Sequence, residues 1–195
     1  MVNRYMFPDH RIRLDYLVDA IKRVNPRSLI DFGCGDTPIQ NLDFNLYVGV
    51  DESDQGIDRN KFKHPNYHFL ETDYTKPILW IVDYTFDAAV WSEGPEHTLN
   101  HDAVFNNIKR VLKPCGVLFI TCPNEGKWSV HPESHDHKCS FGLESLEKLV
   151  GENGFTVLEA TKIYCRIPPE QIGYHWLFIL ASKSQLDPRI IMSHV

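Results

Sequence analysis

Asp31, Asp51 and Asp73 stand at or near the ends of three short apolar runs in the first half of the chain. Gly33 and Gly35 follow the first run, with Cys34 between them. Glycine lets a backbone turn tightly and approach a ligand with no side chain in the way. Asp51, at the end of the second run, is placed to accept hydrogen bonds from a pair of ribose hydroxyls. Asp73 can accept from an exocyclic amino group. Trp91 and Ser92 end a fourth run, and Glu93, Glu96 and His97 come directly after. His97 is the first candidate for a general base there, because imidazole exchanges protons near neutral pH. A structural histidine anchoring the loop is its other reading. Glu93 either lines the same mouth or is a solvated loop charge.

A second group lies further on: His131, His135, Asp136, His137 and Cys139. These are ligand types for zinc and its neighbours. The spacing His-x-x-x-His-x-His-x-Cys matches no closed site, so no metal is expected. His135 and His137 either face a substrate or are exposed loop histidines. Cys34 reads as a small packing residue, not a nucleophile.

The elements that must position these groups alternate between helix and strand. Asp9 to Val24 reads as a helix with Ile12, Tyr16, Leu17, Ala20, Ile21 and Val24 on one face, Asp9 as N-cap and Pro26 as its stop. Strands are expected at 28–32, 46–50, 67–71, 86–91 and 117–121. A helix is expected over 101–112, stopped by Lys113-Pro114, and another over 143–150. Two closing strands lie near 155–163 and 174–182. The loop between them is too short for a helical crossover, which predicts an antiparallel hairpin. Repeated strand–helix units predict a parallel sheet with right-handed crossovers, and ligands of such sheets bind beyond the carboxyl ends of the strands.

Leu29-Ile30-Asp31-Phe32-Gly33-Cys34-Gly35-Asp36 resembles the first motif of class I S-adenosylmethionine-dependent methyltransferases. Val48-Gly49-Val50-Asp51 resembles their second strand, and Glu71-Thr72-Asp73-Tyr74 the segment that contacts adenine. The stretch from Phe86 to Glu93, closing with Glu96-His97, is similar to the fourth strand and the Glu-His signature of small-molecule members. Ile108 to Leu118, Thr121-Cys122-Pro123-Asn124 and Gly154-Phe155 fit the same pattern. The resemblance runs from about Leu29 to Ser182. Some positions depart from it. Thr37-Pro38 occupy the place of a third glycine, Asp36 to Leu42 is a poor helix, Cys115 stands where glycine is usual, and little room is left for a helix between Asp73 and Phe86.

The resemblance implies an α/β fold: a doubly wound, Rossmann-like, seven-stranded, mostly parallel sheet in the order 3-2-1-4-5-7-6, with an antiparallel last strand. It implies one domain, with an N-terminal helix in 1–27, a cofactor-binding half in 28–125, and a substrate-side lid and closing hairpin in 126–195. It implies S-adenosyl-L-methionine as cofactor, held by Asp31, Gly33, Cys34, Gly35, Asp51, Glu52, Asp73, Tyr74, Trp91 and Ser92. In that frame Asp31 helps orient the ammonium group, Asp51 the ribose and Asp73 the adenine amino group, while Tyr74 covers the ring. Catalytic candidates are His97, Glu93, His135 and His137. The acceptor is a small molecule with a hydroxyl or amine group, sugar-like compounds included. A binding or regulatory domain that has lost turnover is the alternative. An NAD-dependent oxidoreductase is disfavoured by the missing third glycine of G-x-G-x-x-G.

Composition narrows the partners. The 195 residues suit one domain, and the net charge of -6 with no Lys/Arg run disfavours nucleic acid. Ser92-Glu93-Gly94-Pro95 stands where base methyltransferases carry an Asn/Asp-Pro-Pro-aromatic motif. No apolar run approaches the roughly 20 residues of a membrane span. Five irregularly spaced cysteines read as reduced thiols in a cytoplasmic protein, monomer or homodimer. The four tryptophans read as core or pocket wall, with Trp91 and Trp128 nearest the pocket.

Overall fold

The computed structural model describes residues 8–35, 39, 42–126, 137–164 and 175–183. Asp9 as N-cap, Trp128, His131, His135, Asp136, Cys165 and the stretch after Gly35 therefore lie outside the described residues or side chains. Helix α1 (Pro8–Val24) leads into strand β1 (Ser28–Phe32). There follow β2 (Leu46–Asp51), α2 (Asp54–Lys63), β3 (His68–Glu71), β4 (Phe86–Ser92), a 3-10 turn (Pro95–His97) and α3 (His101–Val111). The chain closes with β5 (Leu112–Pro123), α4 (Leu143–Glu152), β6 (Phe155–Tyr164) and β7 (His175–Lys183). The seven strands form one sheet in the order β3-β2-β1-β4-β5-β7-β6. The first five strands in sequence pair in parallel, and β7 runs antiparallel between β5 and β6. Fold class and strand order are those expected.

The sheet is wound on both faces because its strands are apolar on both. Every residue of β1 is buried. Ile30 and Phe32 pack in one core with Val104, Phe105 and Ile108 of α3 and Leu146 and Val150 of α4. Leu29 packs in the other with Leu14, Leu17, Ala20 and Ile21 of α1 and Ile57 of α2. This alternation follows the two-residue repeat of a strand. Leu17, Ala20 and Ile21 face the core as expected, while Ile12 and Val24 are exposed and Arg13 and Leu14 are buried in their stead.

Two elements differ from expectation. Helix α2 was absent from the sequence reading because Ile57 is its single buried apolar side chain. Local signals hold it instead: the Ser53 hydroxyl accepts from the Gly56 N–H at the N-terminus, and Lys61 and Lys63 lie in the last turn. Strand β5 begins at Leu112, not Val117. Leu112 pairs with Phe86, the register then slips, and Val117 pairs with Ala88. Lys113-Pro114 thus end the helix by entering an irregular strand start, where Cys115 adopts a φ of 62°.

Between β3 and β4 no helix occurs among the described residues. Side chains of α3 anchor that connection. Asn107 accepts from the Ile78 N–H at 3.1 Å and donates to the carbonyls of Tyr74 at 3.0 Å and Lys76 at 2.7 Å. Arg110 donates to the carbonyls of Ile78 and Ile81. These bonds fix Asp73 and Tyr74 at the carboxyl end of the sheet.

Candidate active site

β1 lies between β2 and β4, so the strand order reverses beside it, the place where such sheets bind ligands. The turn that follows has Gly33 at φ 72° and Gly35 at φ 43°, a region L side chains rarely enter. The Val50 carbonyl accepts from the N–H groups of Gly33 at 2.8 Å and Cys34 at 3.1 Å, tying the turn to β2. Asp51 completes the tie. Its Oδ2 accepts from the Gly35 N–H at 2.9 Å and its Oδ1 from the Ser53 N–H at 2.8 Å. Each carboxylate oxygen keeps a lone pair for a further donor. A Cβ on Gly35 would meet nothing within 4 Å, whereas one on Gly33 would lie 3.2 Å from the Tyr74 hydroxyl.

Cys34 contributes only backbone to this turn. Its side chain is buried beneath it, where a Cβ on Gly49 would come within 2.8 Å of the sulfur. Burial and the nearby Asp31 and Asp51 push its thiol far above the usual range, so it is no nucleophile. Asn60 of α2 donates to the Gly35 carbonyl and braces the turn from below.

Asp31 is 1% exposed and accepts from the Tyr47 hydroxyl at 2.8 Å. Burial raises its pKa to about 7, opposed by the Tyr47 hydrogen bond and by Arg13 and reinforced by Asp51. In this state it offers a ligand its field, not an exposed oxygen. Asp73 is turned inward on its own loop. It accepts from the Thr75 N–H at 3.0 Å and hydroxyl at 2.5 Å and pairs with Lys76 at 2.8 Å. The Lys76 and Thr75 contacts hold its carboxyl down at about 2. Tyr74 packs edge-on to Phe32. Burial raises its hydroxyl well above the usual range, and the charges of Asp51, Glu52 and Glu96 act in the same sense. Negative potential thus converges on the space above Gly33. Together with the glycine cradle, that field suits a ligand carrying sulfonium and ammonium charges, and S-adenosylmethionine carries both.

The second half of the site lies beyond β4. Trp91 is fully buried, and its indole lies where a Cβ on Gly94 would come within 2.1 Å of Nε1. The Ser92 hydroxyl is 2.8 Å from that of Thr121, and both accept from Arg13. Arg13 also pairs with Glu93 at 3.4 Å and stacks over Trp176. Glu93 has a φ of 53° and lies 3.0 Å from His10, so it is a paired group of the mouth, not a solvated charge.

Glu96 is 2% exposed, and its Oε2 has no hydrogen-bond partner among the described residues. Burial lifts its pKa to about 8, with Glu93 and Glu125 adding to the effect and Arg13 opposing it. The Glu96 carbonyl accepts from the N–H groups of Lys138 at 2.7 Å and Cys139 at 3.2 Å. The Glu125 N–H donates to the Phe141 carbonyl at 2.9 Å. These backbone bonds dock residues 137–141 against the 3-10 turn and the end of β5. They bring the His137 ring to 5.2 Å from that of His97 and its Nδ1 to 3.2 Å from Glu125 Oε1. Cys139 parts from this group: its buried thiol donates to the carbonyls of Pro95 and Thr98, both at 3.4 Å. Trp80, by contrast with the other described tryptophans, is exposed.

Sequence reasoning misses Arg13 and Glu125, and it finds Glu96 only as half of a Glu-His signature with no role of its own. Arg13 could have been found as a charged residue on the buried stripe of α1, where the i+4 spacing to Leu17 and i+7 spacing to Ala20 place it inward.

A family described as a methyltransferase domain matches residues 3–160. A curated relative, the mitochondrial ubiquinone biosynthesis O-methyltransferase of Bos taurus, is 26% identical over 180 residues. That match covers 80% of this chain and 48% of the relative, so the chain spans about half of that protein's length. The fold is similar to that of 1,6-didemethyltoxoflavin-N1-methyltransferase from Burkholderia thailandensis, solved with S-adenosylhomocysteine bound. The TM-score is 0.70 at 16% identity, over 88% of this chain and 78% of that one. It is also similar to that of the N-methyltransferase NodS from Bradyrhizobium japonicum WM9, with a TM-score of 0.70 at 15% identity, over 91% and 97% of the two chains. With the strand order, the glycine cradle and the acid at the end of β2, these matches make the chain a member of the methyltransferase-domain family, a class I S-adenosylmethionine-dependent methyltransferase.

Proposed function

We propose that this chain methylates a hydroxyl oxygen of a small acceptor, seated at the mouth formed by Glu93, Glu96 and His97. The observation that carries the reading is the convergence of two histidines and a buried carboxylate, one oxygen of which has no partner among the described residues, at the carboxyl end of β4, next to the glycine turn. An oxygen acceptor must lose a proton as it is methylated, and this mouth is rich in groups that take protons. The name of the curated relative, an O-methyltransferase, favours the same choice. S-adenosylmethionine supplies an electrophilic methyl group on a positively charged sulfur.

The chain's own residues do the rest. Gly33 and Gly35 present backbone to the methionine end, and Asp31 adds an oriented negative field beneath it. Asp51 accepts from the ribose hydroxyls, and Glu52 lines the same rim. Tyr74 walls the pocket above Gly33, and Asp73 reaches the adenine amino group once its carboxylate turns from Lys76. Trp91 and Ser92 shape the floor between the two halves. His97 takes the acceptor proton, while Glu93 and His137 line the acceptor side; His135 is assigned there from the sequence alone. Alignment of acceptor and methyl supplies much of the acceleration, as for other two-substrate transfers. Residues 1–195 act as one domain in this reading, with 126–195 on the acceptor side. Neither nucleic acid nor membrane is a partner: the net charge is -6, and no described helix is long and apolar enough to cross a membrane. A cytoplasmic setting, as monomer or homodimer, completes the reading.

The test is release of S-adenosylhomocysteine across a panel of phenols, catechols, sugars and amines. Turnover of hydroxyl acceptors is expected, with a drop of about a hundredfold in kcat for His97→Asn at unchanged S-adenosylhomocysteine affinity. Methylation of amines alone, or a His97 variant as fast as wild type, refutes the assignment. Cofactor binding with no acceptor turned over would favour a binding or regulatory domain.

A further inference from the structure

One cluster at the acceptor side holds more than a proton acceptor needs. Glu96 and His97 come from the 3-10 turn and His137 from the segment docked beside it. One ligand-type atom from each lies within 4.8 Å of the other two. His97 Nε2 is 4.0 Å from Glu96 Oε1, too far for a hydrogen bond. Among the described residues, Glu96 Oε2 is buried with no partner, and so is Glu125 Oε2. A buried carboxylate oxygen without a donor is costly, and a second acid close by raises the cost. A cation between these groups would relieve both.

We propose that Glu96, His97 and His137 bind a divalent transition-metal ion. Atoms ligating one such ion at about 2.0–2.2 Å lie roughly 3–4 Å apart, so the observed spacing closes with small side-chain movements. Glu125 completes the arrangement. Its Oε1 accepts from His137 Nδ1, which leaves Nε2 as the coordinating nitrogen, the usual pairing of carboxylate, imidazole and metal. Two imidazoles with carboxylate suit zinc, manganese or iron(II), and not magnesium or calcium, which prefer all-oxygen sites. His97 is 36% exposed, which leaves one side of the ion open to water or to an acceptor oxygen. An oxygen bound there would lose its proton more readily. That last role rests on the methyl-transfer reading and would replace His97 as direct proton acceptor, since a metal-bound imidazole nitrogen has no lone pair for a proton; ion binding itself rests on neither. Spacing within residues 131–139 conceals the site, because two of its ligands lie at 96 and 97 and Cys139 points elsewhere.

The full chain, stripped with a chelator and without S-adenosylmethionine, is titrated calorimetrically with zinc and with manganese(II). One equivalent is expected to bind. His137→Asn and Glu96→Gln should each weaken it by at least about tenfold, and Glu125→Gln by a comparable factor. Each variant is also titrated with S-adenosylhomocysteine, which should bind as to wild type and so certifies the fold. If Glu96→Gln fails that check, His137→Asn and His97→Asn carry the test. No saturable binding by wild type, or unchanged metal affinity in both histidine variants, overturns the proposal. Metal binding without any O-methylation keeps this site and removes only the proposed acceptor chemistry.

Discussion

Asp51→Ala separates the two jobs assigned to that carboxylate. In the structure it accepts from the N–H groups of Gly35 and Ser53, one on each oxygen. A hydrogen bond to a charged group contributes about 1.5–3 kcal/mol, less where water can replace the partner. The Ser53 bond is exposed, so its loss should be small, and loss of the Gly35 bond should lower stability by about 1 kcal/mol. The ribose hydroxyls make a separate contribution that exists only in the complex. Its loss, with the looser glycine turn, should weaken S-adenosylhomocysteine binding by about 2 kcal/mol, or roughly thirtyfold. Asp51→Asn keeps one acceptor oxygen but sets an amino group against one of the two N–H donors, so its affinity should fall between the other two. Denaturant unfolding measures the loss of stability and calorimetric titration the loss of affinity. Affinity within about twofold of wild type for Asp51→Ala, with stability also unchanged, refutes both the ribose role and the structural one.

Asp31 should make stability depend on pH in an unusual sense. Its carboxyl is raised to about 7 when folded, against about 3.9 for a free aspartate, because burial and the nearby Asp51 outweigh the Tyr47 hydrogen bond and Arg13. The folded state therefore holds a proton that the unfolded state has lost, and this group's contribution falls as pH rises from about 4 to about 7. Thermal melts should show a smaller decline across that window for Asp31→Asn than for wild type; identical profiles would contradict the raised value. Cys115→Gly should raise stability by about 1 kcal/mol in urea unfolding, since Cys115 sits at φ 62° where glycine carries no steric penalty. A destabilised variant would mean that its side-chain contacts outweigh the backbone strain.

Strands are legible because each is a compact apolar run bounded by polar or glycine residues, and the carboxyl ends of β2 and β4 mark the places of Asp51 and Ser92. Helix α2 was illegible because Ile57 is the only apolar side chain it buries, so no helical period of apolar residues exists to be read. The departure at Cys115 was visible as a missing glycine, but its cost appears only with the backbone angle. The cofactor turn was readable because its parts are close in sequence. The acceptor mouth is legible only in part: Glu93, His97 and His137 stand out in the sequence, but Arg13 and Glu125 join them through tertiary docking alone. Glu96 is visible in the sequence as one half of a Glu-His pair, yet only burial reveals the oxygen, orphaned among the described residues, that sets it apart.

The two halves of the site also differ in how much chain must be closed to make them. Gly35 and Asp51 are 16 positions apart, while Arg13 and Thr121 are 108 apart. Loop-closure entropy grows with the logarithm of that distance, so the Arg13 clamp depends on the global fold in a way the glycine turn does not. A partial opening that lifts α1 from the sheet would unfasten Ser92, Thr121 and Glu93 together, since one guanidinium holds all three. The cofactor turn, tied to β2 and α2, would survive it. Access for an acceptor and retention of the cofactor can therefore be governed by separate local equilibria within one small domain.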